Sequence, residues 1–388
     1  VFERVYRDGA LRDYEGLGLA LQTYQRRARS VLSFLIGLAG DVGRRIPVRL
    51  VKGAYWDTEI KHGQELGLPS YPVFTRKAHT DVSYLACAQM ALGAGNAIYP
   101  QFATHNAHTL ASILHYAGSR RDYEFQRLHG MGEELYAEVI DADRFARPCR
   151  VYAPVGSHED LLPYLVRRLL ENGANTSFVN RIVDESIDVH DIVADPIEIT
   201  LQKDCTPHPA IVPPADLFGT DRRNSAGINL PNGSVTLPLL AAMQSAAETA
   251  HSAHPIVGGK AQAGAEEPSR NPADTGQVVG VCQLASPEHV DAAIEQSIAG
   301  QPRWDATPAS ERAGVLMRAA DLFESHAPEL LALCVAEAGK TVPDAISELR
   351  EAVDFLRYYA VEAEKHFGEP MVLPGPTGEH NALGMRGR

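Results

Sequence analysis

Disulfide chemistry is the first thing missing from this chain. Its five cysteines, Cys87, Cys149, Cys205, Cys282 and Cys334, are scattered without a Cys-x-x-Cys pair and mostly in apolar helix or strand contexts. That excludes a disulfide framework or a cysteine-built zinc site and fits reduced thiols in a cytoplasm. No apolar run approaches the roughly 20 residues of a membrane span, and no signal peptide is present. Positive charge is also short. The 36 Lys and Arg face 49 Asp and Glu, a net charge of −13, with no polybasic run to offset it. Such a segment repels nucleic acid and anionic lipid surfaces. What is present is length: 388 residues accommodate two or three domains of roughly 150 residues each. The opening Val1-Phe2-Glu3 is neither an initiator methionine nor a natural helix start, so the sequence reads as an excerpt that begins inside a domain.

The stretch with the most chemistry is Val48-Arg49-Leu50-Val51-Lys52-Gly53-Ala54-Tyr55-Trp56-Asp57. Val48, Leu50 and Val51 read as a buried strand that breaks at Gly53 into a polar and aromatic tip, the way a catalytic strand end of a β/α barrel is written. Arg49 and Lys52 put two positive charges beside a glycine that lets backbone approach a ligand; phosphate or a developing anion suits them. An ordinary strand with a solvated end has the same local pattern. Around it strand and helix alternate, which implies parallel strands with covering helices. Strands are expected near 18–24, 48–51, 97–102, 123–128 and 150–153. Helices are expected over 26–39, from Asp57 to about Leu66, and from Asp81 with Val82, Leu85, Ala86 and Met90 on one face. Others run through Leu110, Ile113 and Leu114, and through Leu135 and Val139.

One further helix opens at Ser157, with Asp160 three residues on, and carries Leu161, Leu162, Leu165, Leu169 and Leu170 until Gly173 stops it. Arg167 and Arg168 point about 100° apart on it, yet both can converge on one small carboxylate. Glu171 is within reach of either. A solvated face with a routine ion pair would look the same.

The decapeptide is followed by Ala103-Thr104-His105-Asn106, by Gln126-Arg127-Leu128-His129-Gly130-Met131 and by Arg167-Arg168-Leu169-Leu170-Glu171-Asn172-Gly173-Ala174-Asn175. Together they strongly resemble the proline dehydrogenase domain of the bifunctional proline utilization A family. The resemblance implies an α/β fold: a partial (β/α)8 barrel whose last five strands are these. It leaves two sheet edges open and leaves the family's catalytic Lys and Asp of earlier strands without counterparts, so the excerpt alone is expected to be inactive. FAD is the implied cofactor. Gln22, Arg49, Val51, Lys52, Gly53, Ala54, Trp56, Thr104, His105, Asn106, Gln126 and Leu128 stand where the family contacts it. Arg49 matches the residue near flavin N5, where positive charge favours the reduced state. Substrate contacts are implied for Tyr55, Leu128, Tyr152, Arg167, Arg168 and Glu171, with Arg49, Tyr152, Arg167 and Arg168 the catalytic set. A barrel helix normally runs away from the catalytic face, which would put Arg167 roughly 15 Å from it at 1.5 Å per residue. For the arginines to hold a carboxylate, the helix must lie across the barrel mouth, as the resemblance implies. No metal is implied. Thr75-Arg76-Lys77 reads equally as an adenine-side contact or a solvated loop.

Beyond Phe178 the chain passes through Pro207, Pro209, Pro213, Pro214, Gly227 and Pro231, a linker composition, to a helix over about 237–250. Asn271-Pro272-Ala273-Asp274-Thr275-Gly276, Val278-Val279-Gly280-Val281, Ser286-Pro287-Glu288, Glu337-Ala338-Gly339-Lys340-Thr341 and Arg350 to Tyr359 then resemble the helical N-terminal part of an aldehyde dehydrogenase. Thr307 is expected to cap a helix that starts at Pro308, and Gly339 to stop one. Gly339-Lys340-Thr341 follows a helix and lacks the earlier glycine of a P-loop. Cys334 reads as core. The expected domains are 1–180, 181–260 and 261–388.

The implied function is proline catabolism: FAD-dependent oxidation of L-proline to Δ1-pyrroline-5-carboxylate, with the parent chain also oxidising glutamate semialdehyde to glutamate using NAD. A membrane quinone as electron acceptor, a homo-oligomer, and a cytoplasmic location with peripheral membrane association accompany that reading. A non-catalytic scaffold and a flavoenzyme for hydroxyproline remain as alternatives.

Overall fold

A computed structural model describes residues 1–173, 188, 190 and 193–385, with only the backbone of 168–173. The chain divides into two compact units, Val1–Lys61 with Tyr71–Ile211, and His62–Ser70 with Val212–Arg388.

In the first unit five strands, β1 (Leu19–Gln22), β2 (Ile46–Val51), β3 (Ile98–Ala103), β4 (Glu124–Leu128) and β5 (Cys149–Tyr152), pair in parallel in the order of the chain. Helices α1 (Phe2–Tyr6), α2 (Ala28–Val42), α3 (Trp56–Glu65, of which Trp56–Lys61 belong to this unit), α4 (Lys77–Gly93), α5 (Ala107–Ala117), α6 (Glu133–Ile140), α7 (His158–Gly173) and α8 (Pro196–Leu201) complete the succession. Five consecutive β/α repeats in sequential order are the topology of part of a (β/α)8 barrel, as the sequence implied. The outward faces of β2 and β3 are apolar, and Ile46, Val48, Leu50, Ile98 and Phe102 are buried in one core with Leu32, Leu35, Tyr84, Ala88 and Ile113 of the helices.

Local chemistry explains the departures from expectation. The first residues do form a helix, without a side-chain cap at Val1 but with Glu3 in its first turn, where a carboxylate favours the exposed amides. The helix expected from Asp81 starts a turn earlier, at Lys77. Its buried face centres on Tyr84, Cys87, Ala88 and Ala91, while Val82, Ala86 and Met90 are only partly buried. Small side chains let α4 lie close to the sheet, and the Tyr84 hydroxyl, 3.3 Å from the Leu50 and Ala103 carbonyls, is satisfied inside the core. Val51 turns to the opposite face from Val48 and Leu50, as a period of two requires.

The second unit contains α9 (Gly233–Ala247) and a sheet in which β10 (Asp274–Leu284) lies between β6 (His251–Ala253, parallel) and β9 (Ala265–Asn271, antiparallel). The short pairs are β7 (Ile256–Val257) with β8 (Lys260–Ala261) and β11 (Met371–Leu373) with β12 (Asn381–Leu383). Four helices, α10 (Pro287–Asp305), α11 (Ala309–Ser325), α12 (Ala327–Ala338) and α13 (Val342–Phe367), make up most of the rest. Ser286 caps α10 in a reciprocal capping box with His289, and Gly339 ends α12 at φ +65°. Thr307 does not cap α11: its hydroxyl donates to the Arg303 carbonyl, closing the end of α10, and Pro308 stands at the N-cap of α11. Cys334 packs against the Met243, Leu331, Ala345 and Ile346 core. In the proline-rich stretch Asn224 and Ser225 are buried, Ser225 donating to Asp354 at 2.7 Å. Buried Arg357 is held by Asp321 and Glu324 at 3.1 and 2.8 Å.

Candidate active site

Parallel strands bring all their carboxyl ends to one rim, and that rim is where a β/α barrel does chemistry. Register aligns the residues facing inward: Gln22 with Val51, Arg49 with Gln101, Gln101 with Glu124, Ala103 with Gln126, and Leu128 with Tyr152. Gln22, Arg49, Val51, Gln126, Leu128 and Tyr152 therefore share one face, having been 130 residues apart in the chain.

Arg49 projects from β2 on that face. Its guanidinium carbon lies 5.4 Å from the centroid of the Tyr152 ring. Its Nε is buried and meets no acceptor among the described residues, a costly state unless an acceptor is supplied from outside the protein. The loop after β2 is bent around the same point. Gly53 has φ +146°, and a Cβ there would press into the ring of Tyr24, so the backbone passes where only glycine fits. Tyr55 adopts φ +68°, a left-handed conformation that tyrosine avoids and that clusters at functional sites. The Arg167 guanidinium covers the Tyr55 ring at 3.2 Å, which puts this part of α7 over the loop at the end of β2. The side chains of Arg168 and Glu171 lie outside the described residues.

The other predicted contacts are spread along the same rim. The Gln22 Oε1 accepts from the Ala54 amide at 3.1 Å. Trp56 is tied by its Nε1 to the Phe74 carbonyl at 2.8 Å, which fixes the indole plane. Thr104 Oγ1 accepts from the Asn106 amide at 3.2 Å, and Asn106 Oδ1 caps α5 through the Thr109 amide at 2.8 Å. His105 Nε2 accepts from the Leu128 amide at 3.2 Å. Lys52 is paired with Asp81 of α4, which Lys77 also reaches. Burial pushes the Asp81 carboxyl up, but the two ammonium groups more than offset that and hold it below the usual carboxylate range. Arg76 and Thr75 bond to the backbone of Thr206 and His208.

Beneath the rim lies a polar layer that the sequence reading passed over. Glu124 is buried, and its two oxygens accept from Arg150 Nε and Nη2 at 2.8 and 2.9 Å, Gln126 Nε2 at 2.7 Å, Gln101 Nε2 at 3.0 Å and the Tyr99 hydroxyl at 3.2 Å. Its signal was available in Glu124-x-Gln126-x-Leu128 and Tyr99-x-Gln101-x-Ala103, polar residues at a period of two on otherwise apolar strands.

A strained loop, a buried Arg49 Nε with no acceptor among the described residues and Arg167 over the same loop give this rim the positive charge that suits an anionic ligand. Residues 1–181 match the proline dehydrogenase family and residues 260–385 the aldehyde dehydrogenase family. The chain thus pairs a segment that matches the proline dehydrogenase family with one that matches the aldehyde dehydrogenase family, classes that in general use a flavin and NAD respectively. The chain is similar to the bifunctional protein PutA of Escherichia coli (strain K12), 49% identical over 390 residues that cover 97% of this chain and 30% of that protein. A solved proline utilization A from Bradyrhizobium japonicum superposes with a TM-score of 0.83 at 44% identity, covering all of this chain and 36% of that one. A proline utilization A structure with proline bound in remote sites gives the same TM-score, identity and coverage. The resemblance to bifunctional proline utilization A holds along nearly the whole chain, which spans about a third of the length of these relatives. Among the described residues no helix is long and apolar enough to cross a membrane.

Proposed function

We propose that this chain forms part of a bifunctional proline-oxidising enzyme, divided at about 1–180, 181–260 and 261–388. The first segment contributes to the site that oxidises L-proline to Δ1-pyrroline-5-carboxylate. The last belongs to a domain that, in the full-length protein, oxidises glutamate semialdehyde to glutamate with NAD. The observation carrying this reading is the buried Arg49 Nε, with no acceptor among the described residues, on the inward face it shares with Tyr152.

The residues present fit a flavin. Gln22, Arg49, Val51, Lys52, Gly53, Ala54, Trp56, Thr104, His105, Asn106, Gln126 and Leu128 would hold FAD. When bound, it supplies the two-electron acceptor for the hydride that leaves proline C5 while the ring nitrogen gives up its proton. The chain itself orients and polarises. Arg49 places a fixed positive charge where negative charge accumulates on reduction. Arg167, held over Tyr55, offers a fork to the substrate carboxylate, with Arg168 as its second donor and Glu171 as the partner that steadies them. Tyr152 and Leu128 supply the walls that fit a five-membered ring. Electrons then pass to a membrane quinone, in a cytoplasmic homo-oligomer that meets the membrane at its surface.

The full-length protein should carry flavin absorbance that bleaches on anaerobic addition of L-proline. A colourless, proline-indifferent protein would overturn the reading in favour of a scaffold. Faster turnover of hydroxyproline than of proline would move the substrate assignment.

A further inference from the structure

An ionised carboxylate can accept hydrogen bonds but cannot donate them. That simple restriction has a consequence at Gln126. Its amide touches Glu124 at 2.7 Å, and with Glu124 ionised the touching atom must be the nitrogen. A planar amide with its nitrogen held on one side turns its oxygen to the other. Glu124 precedes Gln126 on β4, on the side away from the carboxyl end, so the Gln126 oxygen is turned toward the rim. Arg150, the Tyr99 hydroxyl and Gln101 all donate to the same carboxylate, which keeps it charged and leaves it no freedom to rotate. Burial pushes Glu124 up, yet bonds from Arg150 and Gln126 leave it below the usual carboxylate range.

We propose that Glu124 is a positioning residue of the cofactor site, which fixes Gln126 as an acceptor toward the rim and so selects a ring edge that presents an N–H. This rests on the flavin reading of the site. The oxidised isoalloxazine ring has one such group, the imide N3–H, flanked by two carbonyl oxygens. With the opposite amide orientation Gln126 would meet those oxygens as a donor instead. Glu124→Gln keeps the shape of the side chain but can itself donate, so it no longer dictates which way Gln126 faces.

The full-length protein, stripped of flavin, is titrated with FAD and with FAD methylated at N3, in wild type, Glu124→Gln and Gln126→Ala, with melting temperatures recorded alongside. Wild type should bind the methylated flavin about five- to tenfold more weakly than FAD, the worth of a hydrogen bond to a neutral group. That ratio should shrink by at least threefold in both variants; in Glu124→Gln, which leaves the size of the Gln126 side chain unchanged, a purely steric clash with the methyl group would instead persist. An undiminished ratio in the variants, or equal binding of both flavins by wild type, overturns the proposal. If Glu124→Gln does not fold, Gln126→Ala decides whether the discrimination passes through this amide, and a full ratio there overturns the proposal. Failure of wild type to bind FAD at all would sink the flavin reading instead, a distinct result.

Discussion

Arg49 and Glu124 are both charged, both inward-facing, and opposite in what they owe to the fold. Arg49 Nε has no acceptor among the described residues, so removing the side chain should leave stability nearly intact while removing a charge from the proposed reacting centre. Arg49→Met in the full-length protein is expected to lower kcat/KM for proline by about a hundredfold or more, the loss seen when one preorganised donor is deleted. An unchanged kcat/KM, or a collapse of the melting temperature, would contradict the division of labour. Glu124 is the converse case, with every oxygen committed to protein donors. Its folded-state pKa is below the unfolded value. A depressed carboxylate contributes stability above its unfolded pKa, about 4.3, and loses it as pH falls through the lower folded value. The urea midpoint of wild type minus that of Glu124→Gln should therefore be largest near neutrality and close below about pH 4. A gap that widens on acidification would mean the carboxyl is buried protonated.

At the scale of elements, the β2 strand and its loop form the least replaceable piece. Gly53→Ala must place a methyl in the Tyr24 ring at φ +146°, and strain of this kind costs on the order of 1–3 kcal/mol. Chemical denaturation should show that loss, and flavin affinity should fall with it, because Ala54 and Tyr55 follow directly. An equally stable, equally avid variant would show that the loop has room. This element was also the most legible in the sequence. A β-branched run with alternating outward residues, a glycine break and aromatic residues beyond it are all local signals. Less legible was whatever depends on partners far along the chain. The start of α4 slipped by a turn because Arg76 offers no capping side chain, and its buried face rotated because Tyr84 finds its acceptors on β2 and β3. Thr307 has the side chain of a cap, yet its hydroxyl reaches back one turn to Arg303. The Glu124 layer escaped notice for the same reason: its five bonds come from β3, β4 and β5, and no single stretch contains them. Arg167 could be placed at the rim only through the family resemblance, since the helix pattern alone points it away.

For the molecule as a whole, two features pull in opposite directions. A net charge of −13 keeps copies apart at low salt. Against it, α10 presents Val290, Ile294 and Ile298 at four-residue spacing, half or more exposed, beside Ile256 at 71% exposure. Among the described residues β1 and β5 also have a neighbour on only one side, and such edges invite pairing with another chain. Contiguous apolar stripes of this kind mark a surface that another surface covers. The 388-residue chain prepared alone should therefore self-associate, scattering light above its 42.1 kDa monomer mass and binding an apolar dye. Salt should increase the association, because screening removes the charge repulsion without weakening apolar contact. Ile294→Glu with Ile298→Lys leaves the net charge unchanged, so a fall in scattering and dye binding in that variant would isolate the α10 stripe from the charge effect. If the chain stays monomeric and dye-free as salt is raised, the stripe is too small to drive contact. If the variant scatters as much as wild type, the sheet edges and not α10 hold the copies together.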